Sequence, residues 1–188
     1  MRRIYSFLVL CITPMLANAA AEYYEIDPTH SYPHFAIEHL GFSTLYGRFD
    51  QTTGKLMMDR KNKNGFVSIE ITAVSVSTGY SKRDKHLRSP DFLNVTEFPK
   101  IIYESRNIRF KGEDQALVEG DLTMLGVKKS VDLQVTRYRC GKNPMSQKET
   151  CGFEAHTEIK RSDFGSHYGA PGIGDTMKLW FQVEAIRE

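Results

Sequence analysis

The sequence predicts an all-β fold on three observations. Apolar and polar residues alternate with period two through most of the chain, turn-forming residues punctuate that alternation at hairpin intervals, and a single stretch, Ser81 to Asn94, escapes it. In a pleated strand, successive side chains point to opposite faces, so each alternating run has one dry and one wet side. Val67, Ile69 and Ile71 alternate with Ser68, Glu70 and Thr72, and Val118, Leu122 and Met124 with Glu119, Asp121 and Thr123. Val131, Leu133 and Val135 face Asp132, Gln134 and Thr136 in the same way, as do Met177, Leu179, Phe181 and Val183 against Lys178, Gln182 and Glu184.

Shorter strands are expected at Tyr23 to Ile26, Tyr32 to Glu38, Leu45 to Asp59 with a break at Thr53-Gly54, Ile101 to Phe110, and Phe153 to Lys160. Asn64-Gly65, Gly112 to Asp114 and Leu125-Gly126 supply turns between them. About eight or nine one-sided strands joined by short turns form a meander, which must close into a barrel or stack as two sheets to bury its apolar faces and its edges. In Ser81 to Asn94 the alternation stops. Ser81 with Asp84, and Ser89 with Pro90 and Asp91, read as caps of two short helical turns. Such an insertion cannot sit within a sheet, so it is expected to cross an opening as a lid, with Leu87, Phe92 and Leu93 facing inward.

The first 21 residues read differently. Arg2 and Arg3 precede an apolar run from Ile4 to Leu16, followed by the small-residue pattern Ala17-Asn18-Ala19 with Ala20 and Ala21. This is the pattern of a secretory signal cleaved after about residue 19 to 21, too short to span a bilayer, with Cys11 a passenger inside the apolar run. The remaining residues 22–188 fit one domain with a core of its own. They carry 23 basic and 23 acidic residues, so nothing in the charge balance points to nucleic acid. They also keep two cysteines, Cys140 and Cys151, which in an oxidising compartment are expected to pair. The polar, turn-rich segment between them reads as a hairpin tip that the bridge would staple, apart from the core. A redox or metal role for the pair lacks the C-x-x-C spacing and further ligands.

Chemistry is sparsely signalled. There is no G-x-S-x-G, no H-E-x-x-H and no phosphate-cradling glycine loop, so no catalytic residue and no metal site are assigned and no cofactor is required. His30, His34 and His39 lie among prolines that argue against a ligand-presenting helix, and read as capping or packing residues. The charged run Lys82, Arg83, Asp84, Lys85, His86 and Arg88 reads as a solvated face or a polar collar touching a ligand head group or an anionic membrane. Gly165 to Asp175, with its glycines, reads as a mobile loop beside the barrel mouth. Aromatic residues occur in nearly every element, which suits a packed core and a ligand cavity equally.

Four stretches taken together carry a resemblance. FAIEHLGFSTLYGRF (Phe35 to Phe49), RDKHLRSPDFLNVTEFP (Arg83 to Pro99), GDLTMLGVKKSV (Gly120 to Val131) and RSDFG (Arg161 to Gly165) resemble, in order and spacing, the signature stretches of the YceI-like proteins. The resemblance implies an extended eight-stranded antiparallel barrel of lipocalin-like architecture, periplasmic, often dimeric, and without common catalysis. Its tunnel would bind a polyisoprenoid or an isoprenoid quinone such as ubiquinone. It places Phe35, Ile37, Phe42, Leu45, Leu87, Phe92 and Leu93 near the cavity. The remaining expected lining is Phe49, Val67, Ile69, Ile71, Leu122, Leu133, Phe164, Leu179 and Phe181. The function expected is therefore binding, transport or storage of a long-chain isoprenoid lipid, with transient membrane contact. The alternatives are an enzyme acting on a quinone or prenyl lipid, and a ligand-free periplasmic stress protein.

Overall fold

Strands form where the alternation places them. The computed structural model describes residues 21–188, so most of the expected leader, with Cys11, lies outside the described residues. In chain order the strands are β1 (Glu22–Ile26), β2 (Tyr32–His39), β3 (Ser43–Phe49), β4 (Thr52–Asp59), β5 (Asn64–Thr72) and β6 (Val76–Ser77), then β7 (Lys100–Lys111), β8 (Gln115–Met124), β9 (Val127–Ser130), β10 (Leu133–Lys142), β11 (Glu149–Lys160) and β12 (Ile173–Arg187). A helix, α1 (Ser81–Leu87), lies between β6 and β7.

These twelve segments make a closed eight-stranded antiparallel barrel. Four of its staves are strands interrupted once: β1 continues as β2, β3 as β4, β5 as β6, and β9 as β10. The register shows this directly. β2 lies on β3 with Phe35 opposite Gly47, β1 lies on β4 with Tyr24 opposite Leu56, and β3 and β4 continue onto β6 and β5. The ring closes because β12 pairs with both halves of the first stave, Leu179 opposite Phe35 and Arg187 opposite Tyr24. Closure gives every stave a neighbour on each side and leaves an open edge only beside β6, which pairs with β3 alone.

Two of the interruptions are tied to each other. The expected break at Thr53-Gly54 lies instead at Asp50 and Gln51, where Asp50 N donates to Ser75 O (3.1 Å) and Gln51 O accepts from Thr72 N (3.0 Å). That ties the break to the 3-10 turn Ala73–Ser75 of the neighbouring stave. Gly54 lies inside β4, where a β-carbon would stand 2.2 Å from Ser68 O of β5, so it marks a close approach between strands and no turn. Asn64-Gly65 likewise opens β5, and the turn precedes it, with Asp59 accepting from Asn62 N (3.0 Å) and Nδ2 (2.6 Å) and Lys63 at φ +52°.

Inside, Tyr103 ties three strands together. Its ring is buried, and its hydroxyl hydrogen is shared between Val118 O (3.1 Å) and Val131 O (3.0 Å), the latter in the gap between β9 and β10. Burial pushes the phenol well above its ordinary pKa. Gly120 makes room for it, since a β-carbon there would meet the hydroxyl at 2.4 Å.

The disulfide is placed differently from the expectation. Cys140 and Cys151 are directly opposed on β10 and β11 and are bonded. Cys151 is fully buried among the barrel's interior residues. Inward-facing positions of β10 and β11 carry the two sulfurs, so the bridge belongs to the core, at the end sealed by buried Tyr24 and Met58. Arg60 Nη2 reaches both Tyr24 Oη (3.2 Å) and Cys151 Sγ (3.7 Å) there. Replacing both cysteines by serine is expected to cost about 2–4 kcal/mol, read by denaturant unfolding, from the lost cross-link and from a hydroxyl placed in a dry site. A cost under about 0.5 kcal/mol would show that the bridge only decorates the hairpin, since surface changes of that kind fall within this range.

Candidate ligand-binding cavity

The inner faces of these strands do not meet at the centre. They leave a chamber of about 580 Å³ toward the end that carries α1, and a second of about 100 Å³ deeper in the barrel. Ile71, Leu122, Leu179 and Phe181 border both, forming a waist. The larger volume falls within the roughly 300–1,000 Å³ usual for small-molecule sites. Its walls follow from the alternation: Phe35 and Ile37 of β2, Leu45 and Phe49 of β3, and Leu179 and Phe181 of β12 point inward in register. Val67, Ile69 and Leu133 line the deeper chamber.

The sheet opens between β6 and β7, and the segment between them roofs the gap, with Leu87, Phe92 and Leu93 turned into the larger chamber as expected of a lid. It is fastened by charge. Buried Asp84 accepts hydrogen bonds from Thr78 N (2.9 Å) and from the Thr78 hydroxyl. Arg83 donates to Thr78 Oγ1 (2.7 Å) and Thr78 O (2.9 Å), and Arg88 donates to Val76 O (2.9 Å). Ser81 is therefore the first helical residue and makes no cap; Tyr80 occupies that position without a side-chain bond. Asp84, read as its capping partner, instead grips the end of β6.

Arg161 organises the loop between β11 and β12. It is 3% exposed and donates to Gly174 O (2.8 Å), Ser166 O (3.1 Å) and Ile173 O (3.0 Å). Asp175 accepts from Ser162 N (2.9 Å) and Oγ (2.8 Å), bonds that hold its carboxyl below the usual range. The glycine-rich loop expected to be mobile is thus cinched at both ends. From it Tyr168 reaches over to the lid, with ring centroids 5.1 Å from His86 and 5.0 Å from Phe92, and His86 bonds Asp91 (2.7 Å). Polar groups gather at this rim, Lys82, Arg83, His86 and Ser166 among them, while the walls below are apolar.

Two of the expected lining residues lie elsewhere. Phe42 sits at the β2–β3 turn and is 88% exposed, because the turn projects past the barrel's end. Phe164 is buried, but in the 3-10 turn Arg161–Phe164, outside both chambers. Conversely, Met124, Ile159, Ile173 and Met177 line the larger chamber without having been singled out. Met124 and Met177 stood on dry faces already legible from alternation. Tyr168 had no such signal, since a loop has no period.

The histidines at the front of the chain do not build a common site. His30 donates from Nδ1 to the Asp27 carboxylate (2.8 Å), with the Thr29 hydroxyl 3.0 Å from the same nitrogen, closing the turn between β1 and β2; the bond to Asp27 raises its pKa. Asp27, His30 and Glu184 offer ligand atoms within 4.8 Å of one another, on the outside of the barrel and away from the cavity. His34 is lowered by burial and then by Arg48, and His39 borders the mouth.

Substituting Arg161 by Met removes a buried charge and its three backbone bonds. The expected cost is about 2–3 kcal/mol of stability, with faster amide exchange across residues 165–175 and retained protection in β4 and β5. Unchanged exchange in that loop would show that Arg161 does not hold it.

Residues 24–185 match the family described as YceI-like domain. Protein YceI of Shigella flexneri is 37% identical over 174 residues, covering 91% of this chain and 90% of the relative. Among solved structures, the YceI protein of Campylobacter jejuni superposes with a TM-score of 0.70 at 26% identity, covering 81% of this chain and 90% of that one. A polyisoprenoid binding domain from Saccharophagus degradans, implicated in plant cell wall breakdown, shares the fold with a TM-score of 0.63 at 16% identity, over 90% of this chain and all of that one. Matched along almost its whole described length, this chain belongs to the YceI-like family.

Proposed function

We propose that the protein is exported to the periplasm and there binds the apolar tail of a long-chain isoprenoid lipid, such as a prenol or an isoprenoid quinone, carrying or storing it without turnover. The observation that carries this reading is the shape and lining of the cavity: one broad chamber, a waist and a narrow extension, apolar throughout and polar only at the rim. A branched, elongated chain fits such a space better than a compact ligand does. A polyisoprenoid is also what the Saccharophagus degradans domain is described as binding. Export is supported by the leader pattern at residues 1–21 and by a buried disulfide suited to an oxidising compartment.

The energetics favour a carrier over a trap. Burying each methylene is worth about 0.8 kcal/mol relative to water, so the tail needs a shield in an aqueous space. Transfer from a bilayer gains little, since both media are apolar, and the fit of the chamber and contacts at the rim decide occupancy. Lys82 and His86 stand where a polar head would lie.

Mass spectrometry of an organic extract tests this, using protein isolated from a native, membrane-containing source. A prenyl lipid in near-stoichiometric amount is expected. Leu45→Trp should fill part of the larger chamber at a cost of about 1–3 kcal/mol and lower the lipid recovered several-fold. A folded Leu45→Trp protein with its full lipid complement, or repeated recovery of wild-type protein without prenyl lipid, would refute the reading.

A further inference from the structure

The turn between β2 and β3 is unfavourable in two independent ways. Leu40 and Gly41, the central pair of the turn closed by Phe42 N donating to His39 O (3.1 Å), both have positive φ, +55° and +71°, the conformation for which Asn-Gly is the favoured pair. A leucine there is strained by its β-carbon. It is also exposed, 56% for Leu40 and 88% for the adjoining Phe42. Local stability alone would select asparagine in place of Leu40 and a polar residue in place of Phe42. Strain retained at an exposed apolar tip points to use.

The tip is continuous with the cavity's rim. Leu40 N donates to Gly172 O (2.7 Å), and Leu40 Cδ2 covers Gly172 so closely that a β-carbon there would lie 2.9 Å away. Gly172 belongs to the loop that carries Tyr168, itself 47% exposed and packed on His86 and Phe92 of the lid. Lys82 and Lys85 of α1 are exposed on the same lid, and neither makes an ion pair among the described residues.

Size and shape select the partner. A large aromatic side chain buries about 150–250 Å², so two apolar residues on a projecting turn fall well short of the roughly 800 Å² per partner of a stable protein interface. A bilayer surface makes no such demand. Apolar tips enter the acyl boundary, tyrosines favour the headgroup level, and lysines meet anionic lipids. We infer that the Leu40–Phe42 turn inserts into the surface of an anionic phospholipid bilayer and sets the mouth of the cavity against it. This deepens the proposed lipid-carrier function and rests on it for its purpose, but not for its test.

Flotation of the full protein with vesicles of phosphatidylethanolamine and phosphatidylglycerol reads the contact directly. Wild-type protein is expected to float with the vesicles, less so as salt is raised. Phe42→Ser should lower the bound fraction about tenfold, the share of one buried aromatic side chain. Leu40→Asn should also weaken binding while holding or raising Tm, because asparagine tolerates the left-handed conformation. Undiminished flotation of Phe42→Ser overturns the inference, as does a concentration-dependent dimer that Phe42→Ser abolishes, which would assign the tip to a second copy. Wild-type protein that fails to float yet yields prenyl lipid on extraction removes this inference and leaves the carrier reading standing. Protein that floats but never yields lipid does the reverse.

Discussion

Ring closure is the constraint on which the rest depends. Once β12 pairs with β1 and β2, every stave has two neighbours, and strand pairing within the wall satisfies most of its backbone hydrogen bonds. The inward side chains are then free of any duty to pack against a second layer. They have only to be apolar. In this barrel they are apolar and too few to fill the centre near the lid, so the same closure that stabilises the wall leaves a hollow. Apolar hollows of this kind hold water poorly, which makes an apolar guest the natural occupant.

The two ends of the barrel are built for opposite tasks. At one end Tyr24, Met58 and Cys151 are packed without exposure, with Cys140 half-buried beside them. At the other, strand pairing stops early, and the gap is covered by segments held through polar side chains: Asp84 and Arg83 onto Thr78, and Arg161 onto the carbonyls of its loop. Hydrophobic packing is non-directional, whereas hydrogen-bonded charges fix a position. The lid and loop thus have defined places over the mouth without filling the space beneath. Their contact with each other is aromatic, through His86, Phe92 and Tyr168, and involves no strand.

Much of this was legible in the sequence because a strand's side chains report their own face. Leu122, Leu133, Leu179 and Phe181 could be placed indoors from period two alone, and the loss of period at Ser81 to Asn94 marked the lid. Where a residue's role depends on a neighbour distant in sequence, the signal fails. Gly54 looks like a turn until Ser68 is seen beside it, and Phe42 looks like core until the turn at Leu40 is seen to project. The cysteines show the same limit: their pairing follows from count and compartment, but whether the bridge faces inward depends on the register of β10 after its bulge between Val135 and Arg137. Arg161 is the clearest case, since a basic residue at a strand end gives no hint that it will be buried under three carbonyls.

The central claim is that the interior is a hollow for an elongated apolar guest, and a crystal structure of the protein isolated from its native source tests it most directly. Continuous, elongated density is expected from the rim near Lys82 and His86, through the larger chamber, to the waist at Ile71, Leu122, Leu179 and Phe181. A chamber closed by the protein's own side chains, or filled with ordered water alone, would contradict it.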